Sequence, residues 1–425
     1  MPRCPPRMSV EPTASAEPTQ LTSPPPRGGP LVVAVQGAGD QAFEAALSVK
    51  RQLRARFPGH RAIVLVTVQR EGAVTLAPLP SDGTPLPTRD LPVLAPAASQ
   101  GAVPASASPL GPLFELARTQ EAAAVAVVAA EPHDEASGWL DRLLGPIVAD
   151  GFDFVCPAYD RHRTEGAINT GIVAPLIRTL YGKALRQPLG TEAALSGAVA
   201  RGLLSDEDWR RRPAEAGSDA WLVAKVLGSD ARVAQSWLGP WPRPAGDPEE
   251  LSVTLVRALG LVFGEMERTA SRWQRSGPSS PVPTFGEGRF LRGGARPDPV
   301  KLAEAFALGL RELHPILGLV LPPATLLPLQ QAAGRGAAAG SFPDAVWARV
   351  IFDFAVAHLT RAVERRQLLR SLTPLYLGWL AGLAHDAEAL DDAAFEARVE
   401  AIGAAFEREK RYLVARWRWP DEFNP

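Results

Sequence analysis

Four short, almost uninterrupted apolar runs constrain this chain more than any other feature: LVVAV (Leu31 to Val35), AIVLVTV (Ala62 to Val68), AAVAVVAA (Ala123 to Ala130) and FDFVCPA (Phe152 to Ala158). A strand with one wet face alternates apolar and polar residues, whereas a strand apolar at successive positions must be covered on both sides. The stretches between the runs carry helical spacing instead. Phe43, Leu47, Val49, Leu53 and Phe57 share one side of the first, and Trp139, Leu140, Leu143, Leu144, Ile147 and Val148 line another. This alternation predicts an α/β fold with a mostly parallel sheet between helical layers. Open sheets of this kind bind ligands beyond the carboxyl ends of their strands. A site is therefore expected in the loops that start near Gln36, Gln69, Glu131 and Tyr159.

Composition and spacing divide the 425 residues into four parts. Residues 1–30 read as a disordered Pro-rich tail with no secretory h-region. Residues 31–275 hold the α/β domain, with a long Pro/Ser/Ala/Gly-rich loop over 78–112, a helix from Leu113 to Gln120 and another over 249–273. Residues 276–299 read as a linker. Residues 300–425 carry apolar stripes at helical spacing, among them Trp347, Val350, Ile351 and Phe354, and predict an all-α C-terminal domain. The 45 Lys+Arg nearly balance the 46 Asp+Glu, so no net field favours nucleic acid. Arg161-His162-Arg163 and Arg210-Arg211-Arg212 are short basic clusters, a kind that is usually a solvated face. Only Cys4 and Cys156 are present. That excludes a disulfide framework or a cysteine zinc site and suits a reducing cytoplasm. No apolar run reaches the ~20 residues of a membrane helix.

The most distinctive stretch is DFVCPAYDRHRTEGAINTGIVAPLIRTLYGKALRQPLGTEAALS, Asp153 to Ser196. It resembles the central part of bacterial glycosyltransferases of the mannosylglycerate and glucosyl-3-phosphoglycerate synthase type and their family-2-like relatives. Gly217-Ser218-Asp219-Ala220-Trp221-Leu222 is similar to that family's G-I-D-x-W-L, and Pro374-Leu375-Tyr376 and Phe406 to Val414 continue the likeness. The resemblance covers most of residues 123–425 and fits residues 31–122 less closely. It implies a GT-A fold with a helical extension, assembly as a homodimer, and transfer of a hexose from a nucleotide-sugar to a small anionic hydroxy acid such as glycerate or phosphoglycerate. In such a reaction the departing diphosphate gathers negative charge and needs a cation beside it, Mg²⁺ or Mn²⁺ in the family.

The chain departs from the family pattern on the donor and metal side. Ala129-Ala130-Glu131 stands where an Asp-x-Asp motif holds the metal, so Glu131 is the one carboxylate left there, with His133, Asp134 and Glu135 close behind. A family histidine ligand falls on Arg243, which cannot coordinate a metal but can carry its charge to phosphate oxygens. The turns Gln36-Gly37-Ala38-Gly39-Asp40 and Gln69-Arg70-Glu71-Gly72 lack the expected acidic donor motifs, and Pro104 to Ser108 lacks a lysine. The acceptor side is better kept. The resemblance assigns acceptor and sugar contacts to Arg161, His162, Gly166, Asn169, Thr170, Arg186, Gln187 and Gly190. It gives Glu192 and Asp219 catalytic roles, steadying sugar hydroxyls or a developing oxocarbenium. Asp219 is equally a plausible N-cap for the helix that starts near Ala220. Two functions stay open: a hexosyltransferase with an altered or metal-free donor site, and a non-catalytic GT-A-fold protein that binds an anionic ligand or a partner.

Overall fold

The computed structural model describes residues 28–37, 39–70, 73–80, 110–131, 133–190, 192–205, 218–241, 251–292, 297–335 and 342–420. Nearly all of the expected tail, most of the expected 78–112 loop, Ala38, Thr191 and Arg243 lie outside them.

The strands are, in chain order, β1 (Leu31–Gln36), β2 (Ala62–Arg70), β3 (Ala73–Pro78), β4 (Ala124–Ala129), β5 (Phe154–Asp160), β6 (Lys183–Ala184), β7 (Ala193–Ser196), β8 (Val233–Pro240), β9 (Ser280–Pro281) and β10 (Thr284–Phe285). Eight of them form one sheet in the order β10-β8-β5-β7-β4-β1-β2-β3. The pairs β1–β2, β1–β4, β5–β8 and β8–β10 are parallel, as the apolar runs predict. Two strands run against the rest. β3 folds back along β2, and β7 inserts between β4 and β5. β3 lies just ahead of the expected long loop, where Val74 and Leu76 alternate with Thr75, too short a pattern to read.

The helices of the sheet region are α1 (Gly39–Arg56), α2 (Leu110–Thr119), α3 (Trp139–Val148), α4 (Ala174–Tyr181), α5 (Gly197–Leu204), α6 (Ser218–Leu227), α7 (Leu251–Arg268) and α8 (Ala270–Trp273). The helix expected over 249–273 is thus two, broken at Thr269. Successive residues of β1 point to opposite faces, and the core splits accordingly. Leu31, Val33 and Val35 join α1 and α3 in one apolar cluster. Val32 and Ala34 join α2, α4, α5 and α7 in the other.

That second cluster does not stop at the sheet. It runs on into α9 (Pro299–Glu312), α10 (His314–Val320), α11 (Pro323–Arg335), α12 (Asp344–Thr360), α13 (Arg365–Ser371), α14 (Thr373–Ala389), α15 (Asp392–Arg408) and α16 (Lys410–Arg418). The fold is mixed α/β with a mostly helical C-terminal region. α9 starts where Asp298 accepts from Val300 N and Lys301 N with Pro299 in the first turn, a strong start signal. The stretch 276–299, expected to be a linker, is stitched to the sheet instead. β9 pairs with β6, and β10 pairs with β8 through Gln235↔Thr284 and Ser236↔Phe285. Among the described residues, no helix is long and apolar enough to cross a membrane.

Candidate active site

β7 is antiparallel, so its first residue sits beside the carboxyl end of β4: Ala193 pairs with Val127. Glu192, one residue earlier, therefore reaches the same sheet edge as the loops after β4 and β5. Its carboxylate accepts from Tyr159 Oη at 3.1 Å and from Ala129 N at 3.3 Å, and it meets His133 Nε2 at 2.9 Å. The side chains of Glu192 and His133 are 0% and 3% exposed. The His133 ring stacks on Trp139 with centroids 4.6 Å apart. Glu192 is thus a tie between three strand ends, enclosed by the groups it holds.

Tyr159 leads to the next group. The Arg161 guanidinium lies 5.1 Å from the Tyr159 ring centroid and 4.4 Å from that of Trp241. Arg161 is only 7% exposed, and its Nε has no hydrogen-bond partner. Burial pushes the guanidinium down to about 10, with Tyr159 and Glu165 acting the other way. Two aromatic faces stabilise such a cation but leave its hydrogen-bond donors free. Gly166 makes the sandwich fit: its φ is +68°, and a Cβ there would stand 2.3 Å from Arg161 Nη1.

Two loops are clasped around this cation. Asn169 Nδ2 donates to Leu189 O at 2.7 Å, and Leu189 N donates to Asn169 Oδ1 at 2.9 Å. Gln187 Nε2 donates to Tyr159 O at 2.9 Å. Gln187 Oε1 is buried without a partner. Gly190 packs against Pro157. Arg186 N donates to Gln235 Oε1, and the Arg186 guanidinium lies 5.6 Å from the Phe290 ring centroid. His162 Nδ1 lies 2.9 Å from Thr164 Oγ1.

A cleft of about 590 Å³ opens above these residues. Tyr159, Arg161, His162, Gly166, Thr170, Arg186 and Gln187 line it. Its far wall is the turn 286–290, held to β5 by Leu291 N→Arg161 O at 2.9 Å and Arg289 N→Asp160 Oδ1 at 2.9 Å. Asp392, Ala393 and Glu396 of α15 complete the rim. Seven of the residues expected to touch ligand are therefore brought together here, counting Asn169 as the clasp beneath. Gly190 and Glu192 lie at the base.

The remaining expected residues stand apart. Asp219 belongs to the first turn of α6, and its side chain lies outside the described residues, as does Arg243. Glu131 sits in the bend after β4. Ala129 and Ala130 offer no ligand atoms, and the Glu192 carboxylate is already spent on His133, Tyr159 and Ala129. Among the described residues, no group of three or more His, Cys, Asp or Glu could hold a metal ion. The described residues do not fit the divalent cation that the resemblance implies.

Sequence reasoning missed Tyr159, Trp241, Phe290, Asp392 and Glu396. Tyr159 closes the distinctive DFVCPAYD run and was a legible signal. The others come from segments read as linker, loop or helix surface, and only folding brings them to the cleft.

Neither a protein-family model nor a curated protein matches this sequence. Solved structures do. Glucosyl-3-phosphoglycerate synthase from Mycobacterium tuberculosis in complex with Mn²⁺, uridine diphosphate and glucosyl-3-phosphoglycerate overlaps at 18% identity, over 57% of this chain and 81% of that one, with a TM-score of 0.34. The same enzyme with Mn²⁺ and uridine-diphosphate-glucose gives 18% identity, 57% and 80% coverage and 0.37. Its complex with Mn²⁺, uridine diphosphate and phosphoglyceric acid gives 15%, 60%, 88% and 0.32.

Proposed function

We propose that this chain is a GT-A-type, glycosyltransferase-like protein whose cleft binds a small anionic, hydroxyl-bearing acceptor, and that it handles its nucleotide-sugar without the Asp-x-Asp metal site. The observation that carries this reading is Arg161. It is a nine-tenths-buried guanidinium that lines the cleft, lacks a carboxylate partner among the described residues and has an unpaired Nε. A buried polar group without a partner costs roughly 1–3 kcal/mol, more when charged. A ligand anion removes that cost. Gln187, which lines the same cleft, has its Oε1 buried without a partner, and a turn of that side chain would let it accept from a ligand hydroxyl. One anion and one hydroxyl side by side make a hydroxy acid or a polyol phosphate.

In a transferase the acceptor hydroxyl must be held ~3–3.5 Å from the anomeric carbon. Arg161 and Gln187 then fix the acceptor, and Glu192 fixes Tyr159 and the β4 turn beneath it. The new bond joins acceptor oxygen to sugar carbon as the bond from that carbon to the diphosphate breaks, and the nucleoside diphosphate leaves with the hydroxyl proton. Uridine-diphosphate-glucose and phosphoglyceric acid, held by the mycobacterial enzyme, are the first donor and acceptor to try. Arg243 is the residue proposed to stand in for the cation, and Asp219 the acid proposed nearest the sugar. We propose a homodimer formed through the helical region, in the cytoplasm.

A second reading is favoured by the sealed Glu192. With both oxygens engaged and no exposure, it is not free to act on a sugar, and the chain then binds its anionic ligand without turnover. Calorimetry with 3-phosphoglycerate and with UDP- and GDP-sugars, each with Mn²⁺ and with EDTA, separates the two. We expect metal-independent acceptor binding that falls at least tenfold in Arg161→Gln. Sugar-nucleotide binding and sugar transfer support the enzyme, and acceptor binding alone supports the binding protein. Acceptor affinity unchanged in Arg161→Gln sinks both.

A further inference from the structure

We propose that Asp392 and Glu396 are built-in counter-anions of the cleft, which the anionic groups of a ligand displace from Arg163 and Arg186. This rests on the reading of the cleft as an anion site and adds how its charge is kept in balance when empty.

Asp392 and Glu396 are four residues apart in the first turns of α15, so they share one helix face. Both line the cleft. Asp392 pairs with Arg163, and Glu396 with Arg186 at 3.0 Å. Each pair is lopsided. The Arg163 and Arg186 side chains are 15% and 16% exposed, whereas Asp392 and Glu396 are 63% and 59% exposed.

The arginines are also held by other groups. Arg163 Nη1 donates to Ala387 O at 2.8 Å and to Leu390 O, and its guanidinium lies over the rings of Phe290 and Phe395. Arg186 lies over Phe290. The carboxylates have nothing comparable to hold them in place. Rotation of one side chain returns each to water, and an exposed carboxylate loses little when it leaves a surface pair. The arginines stay where they are. Burial pulls the Arg186 guanidinium below its usual range, and Glu396 and Glu400 counter that pull. Once Glu396 swings out, another anion is needed in its place.

Arg161 differs from its two neighbours because, among the described residues, it makes no ion pair: Glu165 favours its charge from the cleft wall but accepts from His162 N at 3.0 Å. The cleft therefore offers one site that is open at once and two that open by exchange. A ligand with a single anionic group takes Arg161 alone. A ligand with two anionic groups also displaces a carboxylate, so its affinity depends on how firmly α15 holds its own acids.

The test is titration calorimetry with inorganic phosphate and with pyrophosphate at fixed ionic strength, on the full chain and on Asp392→Asn, Glu396→Gln, Arg186→Gln and Arg161→Gln. The two acids are exposed, so their neutral variants should fold, and thermal melts check this. We expect Glu396→Gln and Asp392→Asn each to tighten pyrophosphate roughly two- to fivefold, the scale of removing one competing surface charge. Phosphate should tighten less, and Arg186→Gln should abolish the gain from Glu396→Gln. If both acid variants bind pyrophosphate no better than the parent while Arg161→Gln weakens it, the exchange is wrong and the anion cleft stands. If Arg161→Gln leaves every affinity unchanged, or no variant binds either anion, both ideas fall. Should Arg161→Gln not fold, Gln187→Leu takes its place in the comparison.

Discussion

Arg161 owes its position to a glycine. With φ at +68° and a would-be Cβ 2.3 Å from Arg161 Nη1, Gly166 leaves room for nothing larger. In Gly166→Ala, strain in the left-handed region costs about 1–2 kcal/mol, and the added methyl pushes the guanidinium out of the Tyr159–Trp241 sandwich. We expect a modest fall in the urea midpoint and a loss of acceptor affinity at least as large as in Arg161→Gln. A variant that melts lower but binds normally would show that Gly166 serves the backbone alone. Gly166 was legible as a family position in the sequence, but its reason was not, because the atom it avoids belongs to a side chain whose direction no spacing encodes. Glu192 teaches the converse. The residue was found, but its expected catalytic role rested on likeness alone. Its surroundings depend on β7 running backwards, and an apolar run reads the same in either direction.

At the scale of elements, the cleft depends on how two loops are joined. Residues 169–173 form a π-helical turn ahead of α4, and Asn169 within it makes both bonds to Leu189. That turn rests on the C-terminal helices. Trp347 Nε1 donates to Gly171 O at 2.7 Å, and the Trp379 ring stacks on Trp347. Gly171 lies so close to Trp379 that a Cβ would stand 2.2 Å from the ring. Asn169→Ala removes two partly buried hydrogen bonds and leaves Leu189 N and O without these partners. At about 1–3 kcal/mol for each such group when fully buried, we expect a loss of roughly 2–4 kcal/mol in urea unfolding, with weaker acceptor binding as the 186–190 loop loosens. Affinity intact despite that loss would show the loop to be held by Gln187 and Arg186 instead. The strands and helices that carry long apolar patterns were legible. The two-residue strands β6, β9 and β10 were not, because their pairing rests on backbone bonds and leaves no hydrophobic period.

The whole molecule shares one apolar cluster between the sheet and the C-terminal helices. Deep in the helical part, Asp353 is fully buried. It accepts from Tyr412 Oη at 2.8 Å, Thr325 Oγ1 at 3.1 Å and Arg416 Nε at 3.0 Å. Burial raises its carboxyl to about 6 from 3.8, against the pull of Tyr412, Arg416 and Thr325. A folded value above the unfolded one means that the native state takes up this proton first. Asp353 therefore adds native stability as pH falls from about 6 towards 3.8, and that gain is absent at pH 7.5. Breaking a buried pair by removing one partner costs ~3–5 kcal/mol. Asp353→Asn, which keeps the volume and one acceptor, should cost about 3 kcal/mol at pH 7.5 and flatten stability between pH 6 and 4. Urea midpoints at these pH values check both, and a variant that keeps the parent's pH slope would assign that slope to another group.

The turn over residues 286–290 sets one further limit. One main-chain bond, Leu291 N to Arg161 O, and one from Arg289 N to the Asp160 carboxylate fasten it to the end of β5, and β10 anchors it to β8. That side of the mouth is thus set by the peptide framework and the Asp160 carboxylate, while the opposite side carries the exposed side chains of Asp392 and Glu396. An engineer who replaces the arginines inside should change which molecule is admitted and leave the turn's side of the doorway alone.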